Sequence, residues 1–261
     1  MIKLIQTNAI KIALLLSLLA LSACEVVEKP QYFINDAPLR LFQSGDKVNY
    51  AVLDNTIFDY SITLTQKNEP SPDNNETLAL LFEEQVVSDS ATMPFLPQYY
   101  QQNSEGDLIL KALGNGGEIL WLVDGNDNEV NEILFPSDIK SLSTANNFNR
   151  KLLRCDQDQV CNNAGHYNLS NMSFIGTETA ETAYANFEAY KLDVSVEIEI
   201  LDAEQAGASK NYVFTGTAWI HPLIGIVKFL YNTSTPSNSS LLVGPLSNTN
   251  ISIDESFKIK D

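Results

Sequence analysis

The chain is poor in the residues from which polar catalytic chemistry is usually built. It holds two histidines and three cysteines in 261 residues, too few for an ordinary zinc centre unless carboxylates complete it. His166 and His221 stand in no His-x-x-x-His or His-Glu spacing. A Gly-x-Ser-x-Gly elbow, a phosphate-cradling glycine loop and a dinucleotide fingerprint are all missing, which removes the commonest local signatures of hydrolases and nucleotide enzymes. Basic residues are scarce, 16 against 33 acidic for a net charge of −17. That balance argues against nucleic acid or anionic lipid bound through a basic patch. No apolar run reaches the ~18–20 residues of a membrane-spanning helix. No segment of about 20–50 residues recurs, so a propeller or solenoid is not supported.

What is present begins at the N-terminus. Lys3 and Lys11 precede a short apolar run, Ile12 to Ala20, interrupted by Ser17 and followed by the small residues Ser22 and Ala23. A basic start, a short apolar core and small residues before the cut are the anatomy of a secretory signal peptide. Leu21-Ser22-Ala23-Cys24 resembles the lipobox of bacterial lipoproteins, whose cysteine becomes the acylated first residue. The resemblance implies a leader over 1–23 and a lipid anchor, palmitate among its chains, on Cys24. A single acyl chain holds a protein only marginally, whereas two or more anchor it stably. Glu25 follows the cysteine, not the aspartate associated with inner-membrane retention, so an outer-membrane address is expected, on the periplasmic side or the cell surface. Removing 1–23 leaves 238 of the 261 residues and 14 of the 16 basic ones, a net charge of −19.

Residues 24–38 are mixed and proline-bearing and read as a short tether, with the folded domain over 39–261. Leu39 to Tyr50 contains a Gly45-Asp46 turn signal, and Ile57 to Thr65 alternates in part. Glu69 to Asn75 is a loop by composition. Leu78 to Val87 is ambiguous, because Leu78, Leu81, Phe82 and Val86 fit a helical face while the length also suits a strand. Tyr99-Tyr100 and Leu108 to Leu110 flank a polar turn, and Glu118 to Val123 follows the Gly114 to Gly117 turn, two hairpins in succession. Val130 to Asn171 is the least legible region, with a short helix expected near Ser137 to Leu142 and Ser137 at its cap. Lys191 to Ile200 alternates without a fault, Leu192, Val194, Val196, Ile198 and Ile200 on one face. Tyr212 to Ile220 returns with the same period, His221-Pro222 breaks it, and Gly225 to Tyr231 and Ile251 to Ile259 complete the strands. Strands at hairpin spacing without a βαβ rhythm predict a mainly β, single-domain protein built on an antiparallel sheet, with at most one or two short helices.

With Cys24 assigned to lipid, Cys155 and Cys161 remain, and beyond the cytoplasm such a pair is expected as a structural disulfide. Asp124, Asn126 and Asn128 sit at positions 1, 3 and 5 of an EF-hand-like loop. Glu129 and Phe135, however, stand where glycine and a bidentate glutamate belong. A polar hairpin loop is the plainer reading of these three weak metal candidates. His221, before a proline at a strand end, reads as a turn residue, and Trp121 and Trp219 in alternating strands read as core. No cofactor is expected.

Three segments resemble a loose class of exported bacterial β-sheet proteins, many of them lipoproteins: Gly45 to Tyr50, Gly176-Thr177-Glu178 with Ala183 to Lys191, and Trp219 to Lys228. Val48 replaces a usual tryptophan and Ala185 a usual glycine. The resemblance implies a strongly twisted sheet or half-barrel, loosely like the LolA/LolB-like lipoprotein carriers, with the motif residues structural. The resulting expectation is a non-enzymatic, membrane-anchored envelope lipoprotein acting as an interaction or accessory module. The alternative is a carrier or sensor of an apolar, lipid-like ligand; a secreted hydrolase assembled from distant residues is less favoured.

Overall fold

The structure is a computed structural model and describes residues 29–34, 38–52, 59–73, 76–87, 96–143, 146–156, 158–182, 184–203, 207–231 and 250–258. The leader and Cys24 lie outside these residues. From Gln31 onward the described residues form one mainly β unit. Its strands are β1 (Gln31–Tyr32), β2 (Lys47–Val52), β3 (Asp59–Pro70), β4 (Thr77–Val87), β5 (Gln98–Gln102), β6 (Leu108–Asn115) and β7 (Glu118–Val123). They continue with β8 (Glu132–Phe135), β9 (Asn146–Cys155), β10 (Cys161–Glu181), β11 (Asn186–Leu201), β12 (Ser209–His221), β13 (Gly225–Tyr231) and β14 (Asn250–Lys258).

The sheet curls into a half-barrel of antiparallel strands, and its hydrogen-bonded path returns on itself. From β11 it runs through β10, β9, β7, β6, β5, β4, β3, β2, β14 and β13 to β12, which also pairs with β11. β8 lies off this path against β6. β1 is the exception in direction, parallel to β11 at Asn186 and Phe187, beyond the reach of β12. Gln31 and Tyr32 belong to the stretch assigned to the tether from sequence, and Ile34 just after them is buried in the core. The sheet therefore takes up chain ahead of Leu39.

The alternation of β11 translates directly into packing. Leu192, Val194, Val196, Ile198 and Ile200 are all buried in the largest core cluster, on the concave side, each contributing about 2 kcal/mol through burial of an aliphatic side chain. A second cluster on the other face of β4 to β9 holds Leu80, Tyr99, Trp121 and Leu153, so Trp121 is core. The ambiguous Leu78–Val87 segment is strand β4. The short helix is a 3-10 turn over Ile139–Ser143. Asp138, not Ser137, caps it through the Lys140 N–H at 3.1 Å, while the Ser137 N–H donates to Asp107.

Three loops share one construction. In Asn103 to Asp107, Asp124 to Asn128 and Asp156 to Val160, the first side-chain oxygen accepts N–H bonds from residues two and four further on. The fourth residue of each, Gly106, Asp127 or Gln159, takes a positive φ of 92°, 67° or 61°. This is the type I turn with a left-handed closing residue that three-residue hairpin loops use.

Candidate functional site

Period-2 alternation in β4 sends Leu81, Glu83 and Gln85 to the same side, and the ladder sets Glu83 opposite Leu64 and Gln85 opposite Ile62 of β3. That side is concave. Two adjoining cavities of about 110 and 140 Å³ lie there and share Tyr50, Ile62, Glu83, Tyr100, Phe135 and Ile226 as walls. The larger extends to Tyr167, Met172, Val194, Val196 and Phe214. Apolar cavities near 150 Å³ are large enough to take a benzene-sized molecule.

The walls are apolar and aromatic except at one spot. Glu83 Oε1 lies 2.8 Å from Tyr100 Oη, and its Oε2 accepts from the Gln98 N–H at 3.3 Å and from Gln85 Nε2 at 3.4 Å. Glu83 is half-buried on the shared wall of the two cavities. Burial accordingly pushes its carboxyl up to about 7, against the downward pull of the hydrogen bonds from Tyr100, Gln98 and Gln85. Glu83 forms no ion pair among the described residues. Burial also raises Tyr50, Tyr100 and Tyr167, and the nearby Glu83 charge adds to each shift. Gln85 is 5% exposed, and with its Nε2 turned to Glu83 its Oε1 is buried without a hydrogen-bond partner among the described residues.

One side of the smaller cavity is a strap, Leu39 to Asp46. Arg40 clamps the buried Asp46 carboxylate, and the Arg40 N–H reaches the Pro222 carbonyl at 2.7 Å. Gln102 fastens the strap to β5, accepting from the Phe42 N–H at 2.6 Å and donating to the Arg40 carbonyl at 3.3 Å. Phe33, Leu41 and Leu223 stay exposed around this corner, at 58%, 52% and 47%.

The residues singled out from sequence lie elsewhere. Cys155 and Cys161 are disulfide-bonded across directly paired positions of β9 and β10, closing the Asp156 loop. Asp124 and Asn128 come together, but the Asp124 carboxylate is engaged by the Asn126 N–H, the Asn128 N–H and Asn128 Nδ2 within the loop. Its carboxyl is held below the usual range, first by the Asn128 side chain and then by those N–H groups. His221 is buried edge-on against the stacked rings of Tyr32 and Phe187. Its Nδ1 accepts from the Leu223 N–H and its Nε2 faces the Phe33 carbonyl, each at 3.3 Å. That places its proton on Nε2 and makes the ring a turn brace, with burial lowering its pKa.

The motif residues converge on one spot of the wall. Lys191, Trp219 and Lys228 are paired in register across β11, β12 and β13. Both ammonium groups lie over the indole, whose Nε1 donates to Glu178 at 2.7 Å. This is a structural cluster, with Trp219 buried in a third core cluster beside Tyr50, Phe187 and Val227.

Glu83 and Gln85 escape a reading of the sequence. The signal is there, since a strand over Leu78 to Val87 puts both on the face of Leu81, but a helical reading of the same letters scatters them.

No protein-family model matches the chain, and no curated protein matches it. Solved structures similar to it include a protein assigned as exported, with a YmcC-like fold, from Bacteroides fragilis: 13% identity over 85% of this chain and 99% of that one, TM-score 0.42. A protein assigned as a lipoprotein from Parabacteroides distasonis matches at 12% identity over 86% and 100%, TM-score 0.38. The hypothetical lipoprotein YmcC from Escherichia coli matches at 9% over 82% and 85%, TM-score 0.32.

Proposed function

We propose that the chain is a non-catalytic, lipid-anchored envelope module whose half-barrel accepts a small ligand with an apolar body. The observation that carries this is the pair of adjoining aromatic-walled cavities on the concave side, the smaller of them walled by the strap. The lipobox-like Leu21 to Cys24 supports the anchor, and Glu25 after it supports the outer membrane. Six residues separate Cys24 from Gln31, a reach of at most ~25 Å over the seven Cα–Cα steps. An acylated Cys24 thus keeps the strap corner, with its exposed Phe33, Leu41 and Leu223, near the lipid surface from which such a ligand would come.

A second reading, a docking module for another envelope protein, is favoured by the same three exposed apolar side chains. Ligand-observed NMR titration with toluene separates the two. The full chain carrying Cys24→Ser should bind toluene saturably, and Val194→Phe, which fills the larger cavity, should abolish it. Absence of saturable binding, or binding unchanged by Val194→Phe, removes the ligand reading.

A further inference from the structure

The polar spot in the cavity has a chemistry of its own. Three features meet there, and all favour a positively charged donor. The first is a carboxyl with no cation partnered to it among the described residues, where Glu83 meets Tyr100, Gln98 and Gln85. The second is an orphaned acceptor, the buried Oε1 of Gln85. A buried acceptor without a partner costs roughly 1–3 kcal/mol, recovered when a donor reaches it. The third is the wall itself. Tyr50, Tyr100, Tyr167, Phe135, Phe214 and Phe229 line the same space, and aromatic faces attract a desolvated cation. A neutral apolar molecule would leave the first two unmet, and an anion would oppose Glu83.

We infer that the cavity recognises a small amphipathic amine, its protonated amino group hydrogen-bonded to Glu83 and the Gln85 carbonyl and its apolar body against the aromatic wall. This rests on the ligand-binding reading above and narrows it. The size of the larger cavity, about 140 Å³, limits the enclosed part to roughly one ring or a short alkyl chain, with any longer body leaving through the adjoining cavity toward the strap.

The inference carries a pH dependence. The titratable groups facing Glu83 are the phenols of Tyr50 on β2, Tyr100 on β5 and Tyr167 on β10, all raised and therefore neutral through the working range. At the smaller cavity stand the paired Arg40 and Asp46, and Lys47. Glu83 is thus the group that changes charge near neutrality inside this space. Below its titration the entering ammonium must displace the carboxyl proton to solvent; above it the carboxylate is ready.

Benzylamine, benzyl alcohol and toluene, titrated by ligand-observed NMR into the full chain carrying Cys24→Ser, test this. At pH 8 benzylamine should bind about tenfold tighter than either neutral probe, the scale of one net charged hydrogen bond. Its affinity should fall at least tenfold by pH 5.5 while toluene stays flat. Glu83→Gln should bring benzylamine to the level of benzyl alcohol and remove the pH dependence of its binding. The pH series needs no variant at Glu83 and stands if Glu83→Gln does not fold. Benzylamine no tighter than the neutral probes, or equally tight at both pH values, overturns the inference and leaves the ligand-binding reading in place. No saturable binding of any of the three overturns both.

Discussion

Glu83 and Tyr100 meet 2.8 Å apart inside the concave face, and the same phenol lies 2.9 Å from Gln98 Oε1. Tyr100 has one hydroxyl proton for two acceptors. Both contacts are satisfied if Glu83 is protonated and donates to the tyrosine oxygen, which then donates to Gln98, or if the Gln98 amide is turned round. The first arrangement agrees with a carboxyl that burial lifts to about 7. A neutral acid on an apolar wall costs little; an ionised one without a cation costs much more.

The first prediction follows from that difference. In the unfolded chain Glu83 titrates near 4.5, and in the folded protein near 7. Between those values the unfolded state sheds its proton first, so stability falls as pH rises and levels off above 7. The loss attributable to Glu83 is about 3 kcal/mol. Urea unfolding from pH 4.5 to 8 should show Glu83→Gln gaining on the parent by this amount across the interval. Comparing the two curves removes other groups, including His221, whose lowered pKa makes stability rise with pH. Parallel curves would refute the buried-acid assignment.

Gly165 supplies a second prediction. It sits in β10 opposite Ile200 of β11, at φ +127°, and an added Cβ would lie 1.9 Å from the Glu199 carbonyl oxygen. Gly176, at φ +153°, is in the same strand with nothing within 4 Å of its Cβ position. Both replacements by alanine strain the backbone, but only Gly165→Ala also forces two strands apart. It should cost about 3 kcal/mol, against about 1 for Gly176→Ala. Equal urea midpoints for the two variants would count against the close approach of β10 and β11.

The same strand shows why part of the fold was legible and part was not. In β11 and β12 the ladder runs without a slip, so period-2 alternation survives into the letters. β10 slips at Asn163/Gly165, Leu169/Asn171 and Phe174/Gly176. Each slip changes which parity faces the core: Tyr167 and Leu169 are buried, and so is Met172, three positions on. Together with its Asn and Ser residues this hides the first half of a 21-residue strand, Cys161 to Asn171, in the least legible region. At Asp124 the letters are ambiguous in another way, because a carboxylate capping a hairpin and one opening a calcium loop use the same Asp-x-Asn-x-Asn spacing. The cavity was invisible for a physical reason, since its polar spot is assembled from β4 and β5 with tyrosines contributed by β2 and β10, which only the curl of the sheet brings together.

Lys111 gives a third prediction. It is 1% exposed in the middle of β6, yet its ammonium reaches the Val130 carbonyl at 3.1 Å, Asn131 Oδ1 at 2.8 Å and the Glu129 carboxylate. Ser71 and Asp73 hold Glu129 in turn. Lys111→Ala should cost about 3 kcal/mol, since it opens a cavity and strands three acceptors. Lys111→Met, which keeps the volume, should cost less. A loss under 1 kcal/mol for alanine, measured by urea denaturation, would show the network to be dispensable.

The disulfide is expected to act locally. It joins facing residues of one hairpin, six positions apart, and a loop that short returns about 2 kcal/mol in the chain-entropy picture. Replacing both Cys155 and Cys161 by serine should lower stability by that amount without altering toluene binding, because the pair packs on the convex cluster with Trp121 and not in the cavity. Loss of binding in the double variant would mean that the hairpin shapes the concave face.

The anchor itself is testable at one atom, the Cys24 sulfur. If it carries lipid, radiolabelled palmitate should enter the parent protein and not Cys24→Ser, and the variant should leave the membrane fraction. The other holds that can be weighed are weaker. The apolar run Ile12 to Ala20 is shorter than the ~18–20 residues of a span, and a net charge of −17 repels an anionic lipid surface. The exposed Phe33, Leu41 and Leu223 are three side chains, each worth about 2 kcal/mol at most when fully buried, against two or more acyl chains at ~0.8 kcal/mol per methylene. Palmitate label retained in Cys24→Ser, or unchanged sedimentation with membranes, would place the attachment elsewhere.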